Sequence, residues 1–572
     1  MNRLKIAHSA IAIMFLFLGA GLANLELLHG RQYRQLSNKN CIRLLSQQGC
    51  RGKILDREGK TIVDNKLYYD VMLLPQAGIR EADKPLAALS RILGRSLGDL
   101  KSAFRNSYAG GSIPVTLATN IELKKAIALE ELKADLPNII ITPRPVRQYP
   151  YGRLASHLVG YVSEIDHWRL TRLQDYGYKT KDLVGFGGVE EKYDYYLRQE
   201  EGGLSVEVDH RGRFVRTLGY RAPVNGKDIQ LTLDIKIQKI TQAALSGRKG
   251  CVIIMDPHSG EIIALASFPD FDPAFFADKA SASISELINN RDAPLVNRAI
   301  SSSFPAGSVF KVIVAAAALE TKKINFSTSF LCEGKLLVGK QEFACWKEHG
   351  LQDLNAALTH SCNVFFYRAG LYSGATAIHD YARRFGLGKA TGFQLPYETA
   401  GFIPSPLWRK LNKFKNWFDG DTANLSIGQG DVLVTPLQMA VVISVFANKG
   451  YLVAPYIVRA IDGRDISAYQ ERASGLSLKG SSVNYIRQGL RDAVADSSGT
   501  ANLLSGLAMD VAGKTGTAQA PGGQPHAWFC GFFPFKEPRF SICVFLERGG
   551  PGYNACMVAK EIIGEMSKEG LI

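Results

Sequence analysis

The chain has 572 residues, 46% of them hydrophobic and 21% charged, with 68 Lys+Arg against 53 Asp+Glu. At roughly 100–200 residues per domain this length implies two to four domains, and the composition, with 55 Gly and 23 Pro, excludes a disordered or collagenous chain. Nine Cys are too few for a disulfide scaffold and odd in number, while a formal net charge of +15 suits anionic surroundings such as phospholipid headgroups or nucleic acid, or simply a basic soluble surface.

In chain order, the first element is an apolar run. Ile6–Leu25 contains no Asp, Glu, Lys or Arg, and twenty helical residues span about 30 Å, the hydrocarbon thickness of a bilayer. Arg3 and Lys5 precede it, as for an N-terminus held in the cytoplasm, although Arg31 and Arg34 follow closely. A signal peptide cleaved after Gly21-Leu22-Ala23 is the rival reading. The run exceeds the ~7–15 residues of a signal core, so an uncleaved single-pass anchor over residues 1–30 is expected. Everything after residue 30 then lies outside the membrane's cytoplasmic face.

Residues 31–225 are polar and rich in Arg and Tyr. Tyr69–Leu74 reads as a strand, Ile121–Leu132 as a helix, and Arg51–Gly59 as a strand entering an Asp/Gly turn. This half carries no nucleotide-binding glycine pattern, metal cluster or nucleophile motif, so it is expected to be a spacer or docking pedestal, with no nucleic-acid partner. The character changes at Val224-Asn225-Gly226. A helix with Ile235, Ile237, Ile240 and Leu245 leads to two strands, Cys251–Met255 and Glu261–Ala266, joined by a tight turn. Apolar helices follow at Val309–Leu319 and Leu437–Phe446. Strand candidates Val511–Gln519, His526–Phe533 and Phe540–Leu546 come next, then a helix over Ala555–Met566. Strands at both ends with helices between predict an antiparallel sheet flanked by a helical lobe, an α+β domain over 226–572.

The chemistry lies in that domain. Ser308-Val309-Phe310-Lys311 is an S-x-x-K tetrad at the mouth of an apolar helix, where the amine at i+3 reaches the hydroxyl at i. A partly desolvated neutral Lys serves as the base that a Ser nucleophile needs. The tetrad alone is weak, since Ser246-Gly247-Arg248-Lys249 also matches, and an isolated Ser308 would read as a helix cap. Ser361-Cys362-Asn363 and Lys514-Thr515-Gly516-Thr517 follow it in order. S-x-N alone is also cheap, as Ser482-Val483-Asn484 shows, but K-T-G occurs once. Together the three elements form the signature of penicillin-binding proteins and serine β-lactamases. No G-x-S-x-G elbow or histidine pattern supports a Ser–His alternative.

With these motifs the chain resembles the class B penicillin-binding proteins, most closely the elongation-type penicillin-binding protein 2 group. Further matches are Arg51–Gly59, Tyr149-Pro150-Tyr151-Gly152, Gly160-Tyr161-Val162, Gly187-Gly188-Val189-Glu190, Pro294–Arg298, Trp408–Trp417 and Ser426–Gly430. No region corresponds to the glycosyltransferase domain of class A proteins. The resemblance implies a penicillin-binding/β-lactamase-like transpeptidase domain on a dimerisation-type pedestal. Its activity would be that of a serine-type D-Ala-D-Ala transpeptidase/carboxypeptidase, without an organic cofactor, acting on stem peptides that end in D-Ala-D-Ala and inhibited by β-lactams. Ser308 would be the nucleophile, Lys311 its base, Ser361 a proton relay, and Asn363 a partner of the substrate amide. Lys514 and Thr515 would hold the substrate carboxylate, with Gly516 allowing close backbone approach and the N–H groups of Ser308 and Thr517 forming the oxyanion hole. A membrane-embedded SEDS-type glycosyltransferase and other elongation-complex proteins are the implied partners. A division-type transpeptidase and a non-catalytic penicillin sensor or scaffold are the alternatives.

Cys332, Cys345, His349 and Cys362 are spaced C-x12-C-x3-H-x12-C, a closed set for structural zinc. Some penicillin-binding protein 2 members carry zinc in this region, with a longer spacing at the position of Cys345–His349. A Cys332–Cys345 disulfide with His349 merely polar is the competing reading. Cys41 and Cys50 are a second candidate pair, and Cys251, Cys530 and Cys543 are read as strand core residues.

Overall fold

The computed structural model describes residues 2–34, 42–73, 83–107, 114–136, 139–208, 214–277, 281–467 and 474–572. Cys41 and Leu74 lie outside these. Helix Asn2–Ala23 runs on through a π-helical turn over Asn24–Leu28. Among the described residues, Lys5–Leu28 is the one segment long and apolar enough to cross a membrane. Its large side chains, Phe15, Phe17, Leu18 and Leu22 among them, are exposed, as suits a helix whose solvent is lipid.

The chain folds as two compact units. One comprises Met1–Arg51, Asn65–Val146 and Arg198–Gly226. It contains a three-stranded antiparallel sheet, with Gly202–Val208 between Ile42–Gln47 and Phe214–Arg221. The far part of the long strand Thr61–Leu73 pairs with Val115–Ile121, and helices Asp83–Leu93, Leu97–Ser107 and Leu123–Glu131 accompany it around Val71, Leu89, Leu100, Phe104, Leu117 and Leu129. The helix expected over Ile121–Leu132 therefore begins later, at Leu123. Ile121 is a buried strand residue opposite Tyr69, and Glu122 is still extended at φ −72°, ψ 155°. Strand pairing outweighed helix periodicity at that boundary.

The other unit comprises Gly52–Asp64, Arg147–Leu197 and Lys227–Ile572. Ile54–Leu55 enters a turn in which Asp56 Oδ1 accepts hydrogen bonds from the backbone of Glu58 and Lys60, with Gly59 at φ +82°. Arg147 and Glu190 form a buried ion pair at 2.7 Å, and the Arg147 guanidinium also donates to the Gly52 carbonyl. Such a pair stays tolerable in a core only while both partners are present.

Five antiparallel strands form the central sheet, in the order Ile262–Phe268, Gly250–Met255, Phe540–Leu546, His526–Phe533, Ala512–Ala518. Strand side chains alternate between faces. Val252, Ile254, Phe529, Ile542 and Val544 share one core with helices Ile235–Leu245 and Gly552–Lys568. Cys251, Ile253, Trp528, Cys530, Cys543 and Phe545 share the other core with the helical lobe. That lobe includes Lys311–Glu320, Asn363–Ser373, Asp419–Ser426, Pro436–Ala447 and Gly480–Ala495. At Pro436–Ala447 every side chain is buried, so its uniform apolarity marks a core helix. The antiparallel sheet with a helical lobe is the α+β architecture expected.

Candidate active site

Ser308 sits half-buried in a 3-10 turn, Gly307–Phe310, and the α-helix starts at Lys311 rather than Val309. Positions i and i+3 eclipse in a 3-10 turn. The S-x-x-K spacing thus places hydroxyl and amine on one side of the turn. Gly307 holds φ +57°, and a Cβ there would lie 2.9 Å from the Thr517 carbonyl oxygen. Its N–H donates to the Gly428 carbonyl at 2.9 Å, and a Cβ on Gly428 would stand 2.4 Å from the Gly307 carbonyl oxygen. The turn that holds Ser308 is therefore clasped between the K-T-G strand and the Ile427–Gly430 loop by two glycines.

Lys311 is fully buried. Its Nζ donates to the Ser361 carbonyl at 2.8 Å, to Ser361 Oγ at 3.2 Å and to Asn363 Oδ1 at 2.7 Å. Burial pushes the Lys311 amine down to about 8, against an opposing pull from the sulfurs of Cys345 and Cys362. Ser361 is held at φ +54°, a left-handed conformation rare for a residue with a side chain. Cys362 caps helix Asn363–Ser373 by accepting from the Phe365 N–H at 3.5 Å. The Asn363 amide donates to the Ala344 carbonyl at 3.3 Å and its N–H to Cys345 Sγ at 3.2 Å. The S-x-N motif is thereby tied to the segment that carries Cys345.

Lys514, Thr515, Gly516 and Thr517 lie on Ala512–Ala518, the edge strand of the sheet. An edge strand presents unpaired backbone groups to which an extended peptide can add. Lys514 is fully buried and donates to the Thr515 carbonyl at 3.2 Å; burial and then the Lys311 charge hold its amine well below the usual lysine range. A Cβ on Gly516 would come within 3.1 Å of both Val309 Cγ1 and Trp528 Cβ. Thr517 is exposed, and its Oγ1 accepts from the Gly552 N–H at 3.0 Å, where the C-terminal helix starts. The rival motif matches stand elsewhere: Ser246 is exposed at a helix end and Ser482 is buried within Gly480–Ala495.

The ligand atoms of Cys332, Cys345, His349 and Cys362 all lie within 4.8 Å of one another. His349 Nδ1 is 3.5 Å from both Cys332 Sγ and Cys345 Sγ. Cys332 and Cys345 stand as separate thiols. The Cys345 thiol is held low by its hydrogen bond with Cys362, and the same bond with burial pushes the Cys362 thiol up. Burial lowers His349, which keeps its imidazole neutral and able to ligate.

Three residues of the site escape local pattern reading. Gly428 acts through contact with Gly307, Trp528 through an Nε1 bond to the Pro305 carbonyl at 3.0 Å, and Gly552 through Thr517. Gly428 stands in the matched segment Ser426–Gly430 and Trp528 in the strand candidate His526–Phe533, but neither segment signals these contacts.

The profile described as penicillin binding protein transpeptidase domain matches residues 250–568, and that of the penicillin-binding protein dimerisation domain matches 46–231. Peptidoglycan D,D-transpeptidase MrdA of Acinetobacter baumannii is 31% identical over 98% of this chain and 87% of its own length. The structure of penicillin-binding protein 2 from Helicobacter pylori in complex with MreC superposes with a TM-score of 0.80 at 25% identity, covering 93% of this chain and 99% of that one. A chain from a peptidoglycan synthase complex, described as coordinating polymerization and crosslinking, gives 0.74 at 27% identity over 100% and 99%. The motif geometry, a transpeptidase profile over more than half the sequence and a near-full-length relative lead to one conclusion: the chain belongs to the penicillin-binding protein transpeptidase family.

Proposed function

We propose that this protein is a peptidoglycan D,D-transpeptidase of the elongation type, cross-linking stem peptides through a serine ester. The observation that carries the reading is the buried Lys311 amine, shared by Ser361 and Asn363 beside the turn that holds Ser308. Ser308 Oγ attacks the carbonyl of the penultimate D-Ala, and neutral Lys311 takes the hydroxyl proton. The negative charge that develops on the carbonyl oxygen is met by the N–H groups of Ser308 and Thr517. Ser361 relays the proton to the departing terminal D-Ala, which leaves as the amine. Asn363 orients the substrate amide, and Lys514 with Thr515 holds the terminal carboxylate. The amine of a second stem peptide then attacks the ester; water in its place gives the carboxypeptidase outcome. A β-lactam enters as a mimic of the donor and leaves Ser308 acylated.

Cys332, Cys345, His349 and Cys362 would hold a structural zinc ion. Three sulfurs and an imidazole are a familiar zinc set, and bonds of about 2.0–2.3 Å in a tetrahedron suit ligand atoms spaced as these are. Zinc there would brace the loop that carries Ser361 and Asn363. In chain order residues 1–30 would be the anchor, 31–225 the pedestal and 226–572 the transpeptidase domain, although Gly52–Asp64 and Arg147–Leu197 fold into the same compact unit as the latter. The protein would be single-pass in the bacterial inner membrane, with its catalytic domain in the periplasm. The solved relatives bound to MreC and within a peptidoglycan synthase complex support elongation-complex partners; a SEDS-type glycosyltransferase docked on the pedestal would be one of them.

Ser308→Ala should abolish labelling by a fluorescent penicillin and peptide cross-linking while the protein stays folded; persistent labelling refutes the nucleophile. Depletion in cells should produce rounding, whereas filaments would assign the protein to division.

A further inference from the structure

Helix Leu354–Thr359 ends two residues before Ser361, and its ending is of the Schellman type. The Cys362 N–H donates to the Ala357 carbonyl at 3.0 Å and the Ser361 N–H to the Leu358 carbonyl at 3.4 Å. Such an ending needs one left-handed residue, and glycine usually supplies it because it has no Cβ. Here the position falls to Ser361, buried and at φ +54°. A residue with a side chain keeps that conformation only where its surroundings over-determine it. In that conformation the Ser361 carbonyl and Oγ both lie within hydrogen-bond reach of Lys311 Nζ.

The surroundings act through His360, the residue between the helix and Ser361. The peptide plane that joins His360 to Ser361 sets φ of Ser361, and it is held by the His360 carbonyl and through the His360 side chain. Trp346 Nε1 donates to the carbonyl at 3.0 Å. On the side chain, Nδ1 lies 2.9 Å from Gln352 Oε1 and Nε2 lies 2.9 Å from Ser498 Oγ. Gln352 is buried, and its Nε2 donates to the carbonyls of His349 and Leu351 at 3.0 Å each. Its Oε1 is therefore the end that faces the imidazole, and Nδ1 is a ring nitrogen that carries a proton. Ser498 is itself fixed, since its N–H and its hydroxyl both donate to Asp496 Oδ1 at 2.7 Å. Two residues on, the Thr500 N–H donates to the Thr359 carbonyl at 3.2 Å. The segment that leads from helix Gly480–Ala495 toward the K-T-G strand is thus fastened to the end of the helix that presents Ser361.

We propose that His360, clamped by Gln352, Ser498 and Trp346, is a positioning residue for Ser361: it holds the proton relay in its left-handed conformation and keeps the Ser361 carbonyl and hydroxyl on Lys311. The role rests on the transpeptidase reading, since Ser361 needs that placement only if protons pass through it. Without the clamp the peptide between His360 and Ser361 is free to rotate toward negative φ, which draws both oxygens away from the amine. The groups assigned to the donor carboxylate and the oxyanion, on Lys514, Thr515, Ser308 and Thr517, stay where they are. Proton transfer should therefore suffer while non-covalent binding does not. His360 also stacks on His349 at 5.8 Å, and the ring and its hydrogen bonds can be removed separately.

Stopped-flow labelling of the detergent-solubilised full chain with fluorescent penicillin, over a range of concentrations, separates the non-covalent dissociation constant from the first-order acylation constant. His360→Ala should lower the acylation constant at least about tenfold and leave the dissociation constant within about twofold. Ser498→Ala leaves the ring on His349 and removes one of its hydrogen bonds, and should lower the acylation constant about threefold or more. His360→Gln, whose amide reaches as far as Nε2, keeps the link to Ser498 and should recover part of the loss. Elemental analysis should find the parent's metal content in every variant, because His360 lends no ligand atom to the Cys3His set. An acylation constant within about twofold of the parent in either alanine variant overturns the proposal. So does a change confined to the dissociation constant, a His360→Gln chain no faster than His360→Ala, or metal content that falls along with the rate. A parent chain that never labels sinks the transpeptidase reading, whereas a parent that labels no faster than its variants sinks the clamp alone.

Discussion

Replacing Lys311 with Met removes the proposed base and, with it, a buried ammonium. In the folded protein burial brings this amine from an ordinary 10.5 to about 8. At pH 7 roughly one Lys311 in ten is then neutral, at pH 8 half, and at pH 9 about nine in ten. Acylation by a penicillin should climb about fivefold from pH 7 to 8, about tenfold by pH 9, and then level off. Lys311→Met should flatten that profile and slow acylation by about 10²–10⁴. The same shift acts on stability. Between about pH 8 and 10.5 the unfolded chain binds the proton that the folded chain has released, so stability rises with pH over that window by roughly 3 kcal/mol. Below pH 8 both states are protonated and the penalty of the buried charge is fully present. Met removes this contribution; Lys514 is shifted in the same direction, whereas the buried thiols of Cys251, Cys543 and Cys556, pushed up by burial, contribute with the opposite sign, so the readout is the difference between parent and variant. Met also strips Asn363 Oδ1 and the Ser361 carbonyl of a donor, at about 1–3 kcal/mol each. Net stability at pH 7 should therefore change little. Stopped-flow labelling with fluorescent penicillin and urea unfolding across pH 6–10 give both readouts. An acylation rate flat from pH 6 to 9, or a Met variant labelled within tenfold of the parent, would refute Lys311 as base.

The metal reading predicts about one zinc per chain by elemental analysis. Cys362→Ser should lose it, lower the thermal midpoint by about 5 °C or more and slow acylation, because Cys362 adjoins both Ser361 and Asn363; full zinc occupancy in that variant would exclude Cys362 as a ligand. Gly307→Ala should cost about 1–3 kcal/mol in urea unfolding, since φ +57° and a 2.9 Å approach to the Thr517 carbonyl oxygen both oppose a Cβ. The same variant should slow penicillin acylation at least about tenfold as turn and strand separate, and parent-like rates would show that the close approach is not needed.

The order S-x-x-K, S-x-N, K-T-G was legible without a structure because each element is local and its chemistry travels with residue type. The sheet strands were legible too: in Cys251–Met255 a continuous apolar run bounded by turn residues signals a strand buried on both faces, and helix Pro436–Ala447 is capped by Thr435 and Gln438. The start of the helix that follows Ser308 was not. Whether Ser308 lies in an α or a 3-10 turn depends on how the Thr517 strand and the Gly428 loop press on Gly307, and neither is near it in sequence. The start of the helix at Leu123 was likewise set by the pairing of Ile121 with Tyr69.

By itself, then, the amino-acid order determined what depends on short-range periodicity and side-chain chemistry: an anchor-like apolar run, an α+β domain, a Ser–Lys nucleophile motif and a Cys3His set. Tertiary structure alone decided what depends on chains distant in sequence meeting. It buried the Lys311 amine between Ser361 and Asn363 and gathered four zinc-type ligands within 4.8 Å. The physical reason is that burial and close approach are properties of packed surroundings, and they move an amine's proton affinity or forbid a Cβ wherever the folded chain brings those surroundings together.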